Sequence, residues 1–396
     1  LPALIFDKSP WLLYWRGICG LGWRHEECRR DFEPALSLFR RQRDTAGMFL
    51  AWSAVVLSYI FESYSRPLDP WIALLDDLVQ ESQGFPSKEV EAQVATSMLA
   101  AIAWRQPAHP DGPYWAERAL ELTRHHPDLG LRTVMAYGWV CYHWQLGNNE
   151  KAFLVVDDMR KLMRAPDVPP YVVLMIGSVV ACHEWMSASP SCCDLVAEMI
   201  EFAKKTGVIH SANYASLRFG IVAALDHGDL TTATTWLREM ETALPRLGPN
   251  HRCCYHSSVV IEALIRGDVE RATVHQPEML KFGLDSGWQL DEAYTRLLSA
   301  QVREARGEER AAREHLERAL EIGRMMRSPF VEFMARLTEA ELCFASGEED
   351  AGLGIDDVAA GNAGLGLDGV GHKTLADDAV GVRRQEADER IKRQVV

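Results

Sequence analysis

Ala311-Ala-Arg-Glu-His-Leu-Glu-Arg-Ala-Leu-Glu-Ile-Gly323 is the stretch that decides the fold. Ala312, Leu316, Ala319 and Leu320 recur at helical spacing and share one face, with Glu and Arg on the other. Just upstream stands Gly307-Glu308, a dipeptide suited to ending one helix before the next begins. Related dipeptides occur at Gly147-Asn148, Gly228-Asp229, Gly267-Asp268 and Gly347-Glu348, and the five are spaced by 81, 39, 40 and 40 residues. The long interval reads as two units, with a middle turn near Ala188-Ser189-Pro190. Five positions after each turn residue sits something small: Ala152, Cys193, Ala233, Ala272, Ala312 and Gly352. A small residue at one fixed place is what close helix-on-helix approach requires.

The period is therefore about 40 residues. Trp139 to Trp144 reads as the helix before the first of these turns. Upstream, turns fall near Gln106-Pro107, near Ser65-Arg66-Pro67 and near Gly20 to Arg24, which extends the count to about nine helical hairpins. A single hairpin cannot bury its apolar face alone, whereas stacked neighbours can, so the expectation is a curved α-solenoid. Sustained alternation of apolar and polar residues is missing, and strands are not expected. Residues 1–350 form the repeat region. From Ala351 to Val396 there is no Phe, Trp, Tyr, Cys, Met or Pro, and eight of those residues are Gly. That composition predicts a weakly ordered tail over 351–396, with a short charged helix between Arg383 and Arg393.

The chain has 396 residues, of which 47% are hydrophobic and 25% charged, a core-forming composition. Its net charge of −14 repels phosphate backbones and argues against direct nucleic-acid binding. No run approaches the roughly 18 apolar residues that a membrane-spanning helix needs, and no secretory signal is expected. The nine cysteines are dilute and lack CxxC spacing, which points to reduced thiols and a cytoplasmic setting. The first residue is Leu1 and not Met, which points to a piece of something longer.

Gly-(Asp/Asn/Glu)-x-x-x-Ala between two amphipathic helices resembles a tetratricopeptide-type turn, at 40 residues instead of 34. Pro10-Trp-Leu-Leu-Tyr-Trp15, Ala51-Trp52, Leu68-Asp-Pro-Trp-Ile72, Trp104-Arg-Gln-Pro-Ala-His-Pro110, Trp115-Ala-Glu-Arg-Ala119 and Ala300-Gln-Val-Arg-Glu304 further resemble the helical sensor region of the MalT-like bacterial regulators, the signal-transduction ATPases with numerous domains. The resemblance covers about residues 8–350. It implies an all-α, right-handed solenoid of tetratricopeptide-like hairpins that senses an effector. It also implies a P-loop ATPase and a LuxR-type or BTAD output domain elsewhere in the full-length protein. Neither module occurs in this segment.

Motifs that could carry chemistry are weak. Gly364-Leu-Gly366-Leu-Asp-Gly369 matches GxGxxG without a strand before it or a helix after it. Gly366 to Thr374 comes near a Walker A loop, but His372 stands where glycine must precede Lys-Thr. The pairs Asp76-Asp77 and Asp157-Asp158 lack a third acid and read as solvated helix faces. His251-Arg-Cys253-Cys254-Tyr255-His256 gathers thiols and imidazoles, yet adjacent cysteines on a helix point about 100° apart and rarely share a metal. Packing is the expected role there and at Cys192-Cys193. Neither an activated nucleophile nor a cofactor site is expected.

The most informative set is a tryptophan ladder of Trp104, Trp144 and Trp185, spaced by 40 and 41 residues. A ladder matched to the repeat either lines a concave groove for a sugar, a peptide or another planar ligand, or packs between helices. Tyr137, Tyr142, His143 and His183 would be the polar neighbours in a groove. The functional expectation is a sensor or scaffold that binds a protein or small-molecule effector without catalysis. The alternatives are a stand-alone interaction adaptor and an α/α-toroid enzyme acting on carbohydrate.

Overall fold

The computed structural model describes residues 9–208 and 211–346. The tail 351–396, with both glycine motifs, the Arg383–Arg393 helix and the Gly352 position, lies outside the described residues, as does the Gly347-Glu348 turn. Among the described residues the fold is all-helical, with no strand.

The helices alternate between two kinds. One series forms the inner layer, and its earlier members are apolar around most of their circumference: α3 (Thr45–Glu62), α5 (Lys88–Arg105), α7 (Leu129–Gln145), α10 (Pro170–Met186), α12 (Ser211–Asp226), α14 (Pro249–Ile265), α16 (Gln289–Ala305) and α18 (Pro329–Ser346). In α5, every residue from Val94 to Trp104 is buried. The other series buries one stripe: α2 (His25–Gln42), α4 (Asp69–Ser82), α6 (Gly112–Thr123), α8 and α9 (Asn149–Phe153, Val156–Met163), α11 (Ser191–Thr206), α13 (Leu230–Ala243), α15 (Val269–Ser286) and α17 (Glu309–Met326). In α17 that stripe is Ala312, Leu316, Ala319, Ile322, Gly323 and Met326. A helix apolar all round belongs inside, and one with a single stripe belongs at the surface. Each inner helix accordingly packs on the next inner helix along the chain, while the outer helices cover them. The helix α1 (Pro10–Gly20) precedes the first outer helix.

The apolar character of α3 corrects one sequence expectation. Thr45–Glu62 is long and apolar enough by composition to cross a membrane. It is an inner helix, 67% buried in the protein.

The recurrent glycines work as the spacing predicts. Gly147, Gly228, Gly267 and Gly307 all have φ near +73°, where a side chain is costly. Each turn makes the same pair of backbone bonds, as in Gly228 N–H to Leu225 O (3.0 Å) and Asp229 N–H to Ala224 O (2.8 Å), the Schellman closure of a helix end. Asp229 and Asp268 then accept from the backbone N–H of Thr232 and Arg271 and cap the following helix. Gly ends one helix and Asp starts the next, which is why the dipeptide repeats. Ala188 fills the second turn of the series at φ +47°, with the same bond pattern. The small residues Ala152, Ala233, Ala272 and Ala312 are all buried. In the Ala188 unit, where the outer helix starts at Ser191, the buried residue is Cys192, not Cys193.

The inner layer does not stay open. The C-terminal end of each early inner helix meets the start of the inner helix five pairs later. Asn250 N–H donates to Ser63 O (3.1 Å), Ser65 N–H to Ser286 O (2.7 Å), Arg105 Nη1 to Gly287 O (2.9 Å), and Ser328 Oγ to Gln145 O (2.6 Å). Two glycines make room for this seam. A methyl group at Gly248 would overlap the Glu62 carbonyl, and one at Gly287, itself at φ +73°, would overlap the Arg66 backbone.

Candidate functional site

The ladder sits on the inner helices, and the seam buries most of it. Trp104 is 8% exposed and packs on Tyr137 and on Trp288 from across the seam, with centroids 5.1 and 6.2 Å away. Trp144 meets Trp185 edge-on at 5.8 Å and Phe330 at 4.5 Å. Trp185 stacks on Phe219 at 5.6 Å. Each indole thus has aromatic partners, the arrangement in which such rings contribute beyond their buried area.

The expected polar neighbours divide. Tyr137 remains beside the ladder. Tyr142, His143 and His183 do not join an inner wall; they face the outer helices. The Tyr142 hydroxyl lies against Gly112 at the start of α6. His143 packs at a tilt on Trp139 at 4.2 Å, and His183 lies edge-on to Phe153 at 4.4 Å, with Nδ1 3.3 Å from Arg160 Nη2. The reason is angular: residues 142 and 143 lie well off the direction of Trp144 and Tyr137, because each helical step turns about 100°.

Two turns before the ladder, on the same face of the inner helices, lies a cavity of about 60 Å³. Tyr137, Ser178 and Arg218 line it from α7, α10 and α12, at steps of 41 and 40 residues. Ile60, Phe61 and Ser63 enter from the end of α3, Ala100 and Trp104 from α5, and Asn250 and His251 from α14. Six inner helices therefore share one small chamber. Its walls are aromatic and aliphatic, with a few polar groups, which is how small-molecule sites are built.

Arg218 dominates the electrostatics. It is 9% exposed, and its guanidinium lies over the Phe219 ring at 4.3 Å. Nη1 donates to Asn250 Oδ1 (3.0 Å) and contacts Cys254 Sγ (3.6 Å). Asn250 Nδ2 in turn donates to Asp291 Oδ2 (2.6 Å), so the buried carboxylate reaches Arg218 through an amide. Burial raises the Asp291 pKa to about 6, against the lowering effects of Asn250 and Arg218. Burial, helped by the Arg218 charge, lowers His251 to about 3, so its imidazole is neutral at pH 7. Burial also raises the Tyr137 phenol, which keeps its proton.

Sequence reading missed Arg218, Asn250, His251 and Asp291 as a group. A signal existed for the first. Arg218 is a lone cation within the apolar run Leu217-Arg-Phe-Gly-Ile-Val-Ala-Ala-Leu225, seven residues before the ladder position that Leu225 occupies.

No family model matches the chain, and no curated protein is significantly similar to it.

The His251-to-His256 run disperses. His251 lines the cavity, Cys254 meets Arg218, Cys253 is buried, and His256 turns outward to His275 with Nδ1 atoms 3.0 Å apart. Among the described residues no three His, Cys, Asp or Glu side chains converge as a metal site would require.

Proposed function

We propose that the chain is the effector-sensing, helical-repeat region of an ATP-dependent bacterial transcriptional regulator. In this reading it is a right-handed α-solenoid of about nine tetratricopeptide-like hairpins, and it carries no catalytic step of its own. One observation supports it above the others: six inner helices, from both sides of the seam, meet at a single small cavity. A ligand there touches elements that are remote in sequence. It shifts their relative packing whenever it fits one arrangement better than another.

The cavity favours a small effector over a peptide. The seam occupies the space where an extended groove would run. Its lining contains no carboxylate, so the pair that a carbohydrate-cleaving toroid needs has no place there. The ATPase and DNA-binding modules belong, by resemblance, to other parts of the full-length protein.

A thermal-shift screen of small metabolites, run on the wild type and on Ala215→Leu, tests the reading. Ala215 borders the cavity, and leucine would fill it. At least one compound class should raise the wild-type melting temperature and leave Ala215→Leu unmoved. A shift that survives equally in the filled variant places the ligand elsewhere and removes the proposal. The regulator assignment also requires a P-loop in the same reading frame.

A further inference from the structure

We infer that the axial cavity is an anion site that takes one small monocarboxylate on Arg218; the inference rests on the cavity being the effector site. A guanidinium carries five N–H donors. The two on Nη1 are used by Asn250 and Cys254. Nε and Nη2 have no protein acceptor among the described residues, although Arg218 is nine-tenths buried. That edge is the fork that meets both oxygens of a carboxylate. Neither nitrogen is fully enclosed by protein, so both are free to donate into the cavity that Arg218 borders.

The rest of the lining is arranged in the same sense. The Tyr137 hydroxyl and the neutral His251 ring each bring a proton to donate, and neither has a hydrogen-bond partner among the described residues. The Ser178 and Thr133 hydroxyls are already committed to the carbonyls of Met175 and Leu129, each at 2.7 Å. The lining thus holds spare donors, one cation and no carboxylate. A single cation with neutral donors suits a monoanion and leaves a phosphate dianion undercompensated. Ile60, Phe61, Trp104 and Met175 give the remaining wall an apolar character, suited to a short hydrocarbon tail. The size admits a carboxylate with a few carbons.

Titration of the full chain with propionate, followed by thermal shift and calorimetry, tests this. Propionate should bind saturably, while propionamide and inorganic phosphate should bind at least tenfold more weakly. Arg218→Met should abolish the propionate response. Because removing a buried Arg can unfold the chain, Tyr137→Phe supplies a milder variant, expected to weaken propionate about tenfold with unchanged circular dichroism. Equal propionate affinity in folded Arg218→Met, or tighter binding of phosphate, overturns the inference. If a neutral compound binds, is blocked by Ala215→Leu, and propionate does not bind, the anion assignment fails and the effector cavity stands. If no compound responds to Ala215→Leu, both fail.

Discussion

Trp288 Nε1 donates to Gln145 Oε1 at 3.2 Å, across 143 residues of chain. Gln145 is fully buried, and its Nε2 donates to Ala103 O and Cys141 O, both at 2.9 Å. One amide therefore ties its own helix, the preceding inner helix and an inner helix from across the seam. A glutamine at the end of an inner helix would be solvated in an open coil. Here every one of its polar groups is used.

Removing one partner of this pair leaves the other buried and unpaired. Gln145→Leu and Trp288→Phe should each destabilise the protein by about 1–3 kcal/mol. The double variant should cost less than the sum, because the orphaned group has gone. Urea unfolding of the four proteins measures the coupling. Strict additivity would mean that the two side chains do not act on each other in solution.

The seam glycines should be less tolerant than the turn glycines. Gly228, Gly267 and Gly307 have open space where a Cβ would sit, so alanine there meets only the φ penalty of about 1 kcal/mol. At Gly248 the backbone conformation is ordinary, with φ −70°, and only the Glu62 carbonyl forbids a side chain. Gly248→Ala should therefore lower the melting temperature more than Gly228→Ala does. It should also raise amide exchange at Ser65 and Asn250, whose N–H groups cross the seam. The reverse ranking would show that the seam is not closed.

Acid should destabilise the fold before most carboxylates titrate. His251 and His143 are both 4% exposed, and burial lowers them from 6.5 to about 3 and about 4. Their folded-state pKa values are depressed, so the stability they contribute is full above pH 6.5 and is lost as pH falls below it. At pH 5 each costs about 2 kcal/mol. Asp291 runs the other way. Its raised pKa returns about 1 kcal/mol as pH falls from 7 to 5. For these three groups together the expectation is a loss of about 2 kcal/mol across that interval. His251→Gln and His143→Gln should each flatten the curve, read by chemical unfolding at pH 5, 6 and 7.

The helices and their pairing were legible because two local rules repeat. Gly-Asp supplies a left-handed residue and then a cap, and an alanine five positions on lets the next helix approach. Even Ala188, without glycine, keeps the spacing. The closed seam was not legible. Gly248, Gly287 and Gln145 look like ordinary loop and helix-end residues, and only contacts between units five apart give them meaning. The ladder was visible by its period, but period alone does not tell an open wall from a filled one. Arg218 keeps the same period as Tyr137 and Ser178, yet the three share no chemistry, so a search for like residues passes over them.

Propionate affinity should rise as the pH is lowered from 8 to 6. Asp291 is 7% exposed and shares Arg218 with the incoming anion through Asn250. Two negative charges near one buried cation disfavour each other, so the bound anion pushes the Asp291 pKa above about 6 and favours its protonated form. Binding is then linked to proton uptake. Among the groups facing this pair, burial holds His251 near 3 and raises Tyr137, Cys253 and Cys254. A further rise of one unit in Asp291 corresponds to about a fivefold gain in affinity across the interval. Calorimetry in two buffers of different ionisation enthalpy counts the protons directly. Asp291→Asn should bind propionate with no such pH dependence. An affinity that stays level in the wild type, or weakens on acidification, would mean that the anion does not displace Asp291 as the counter-charge of Arg218.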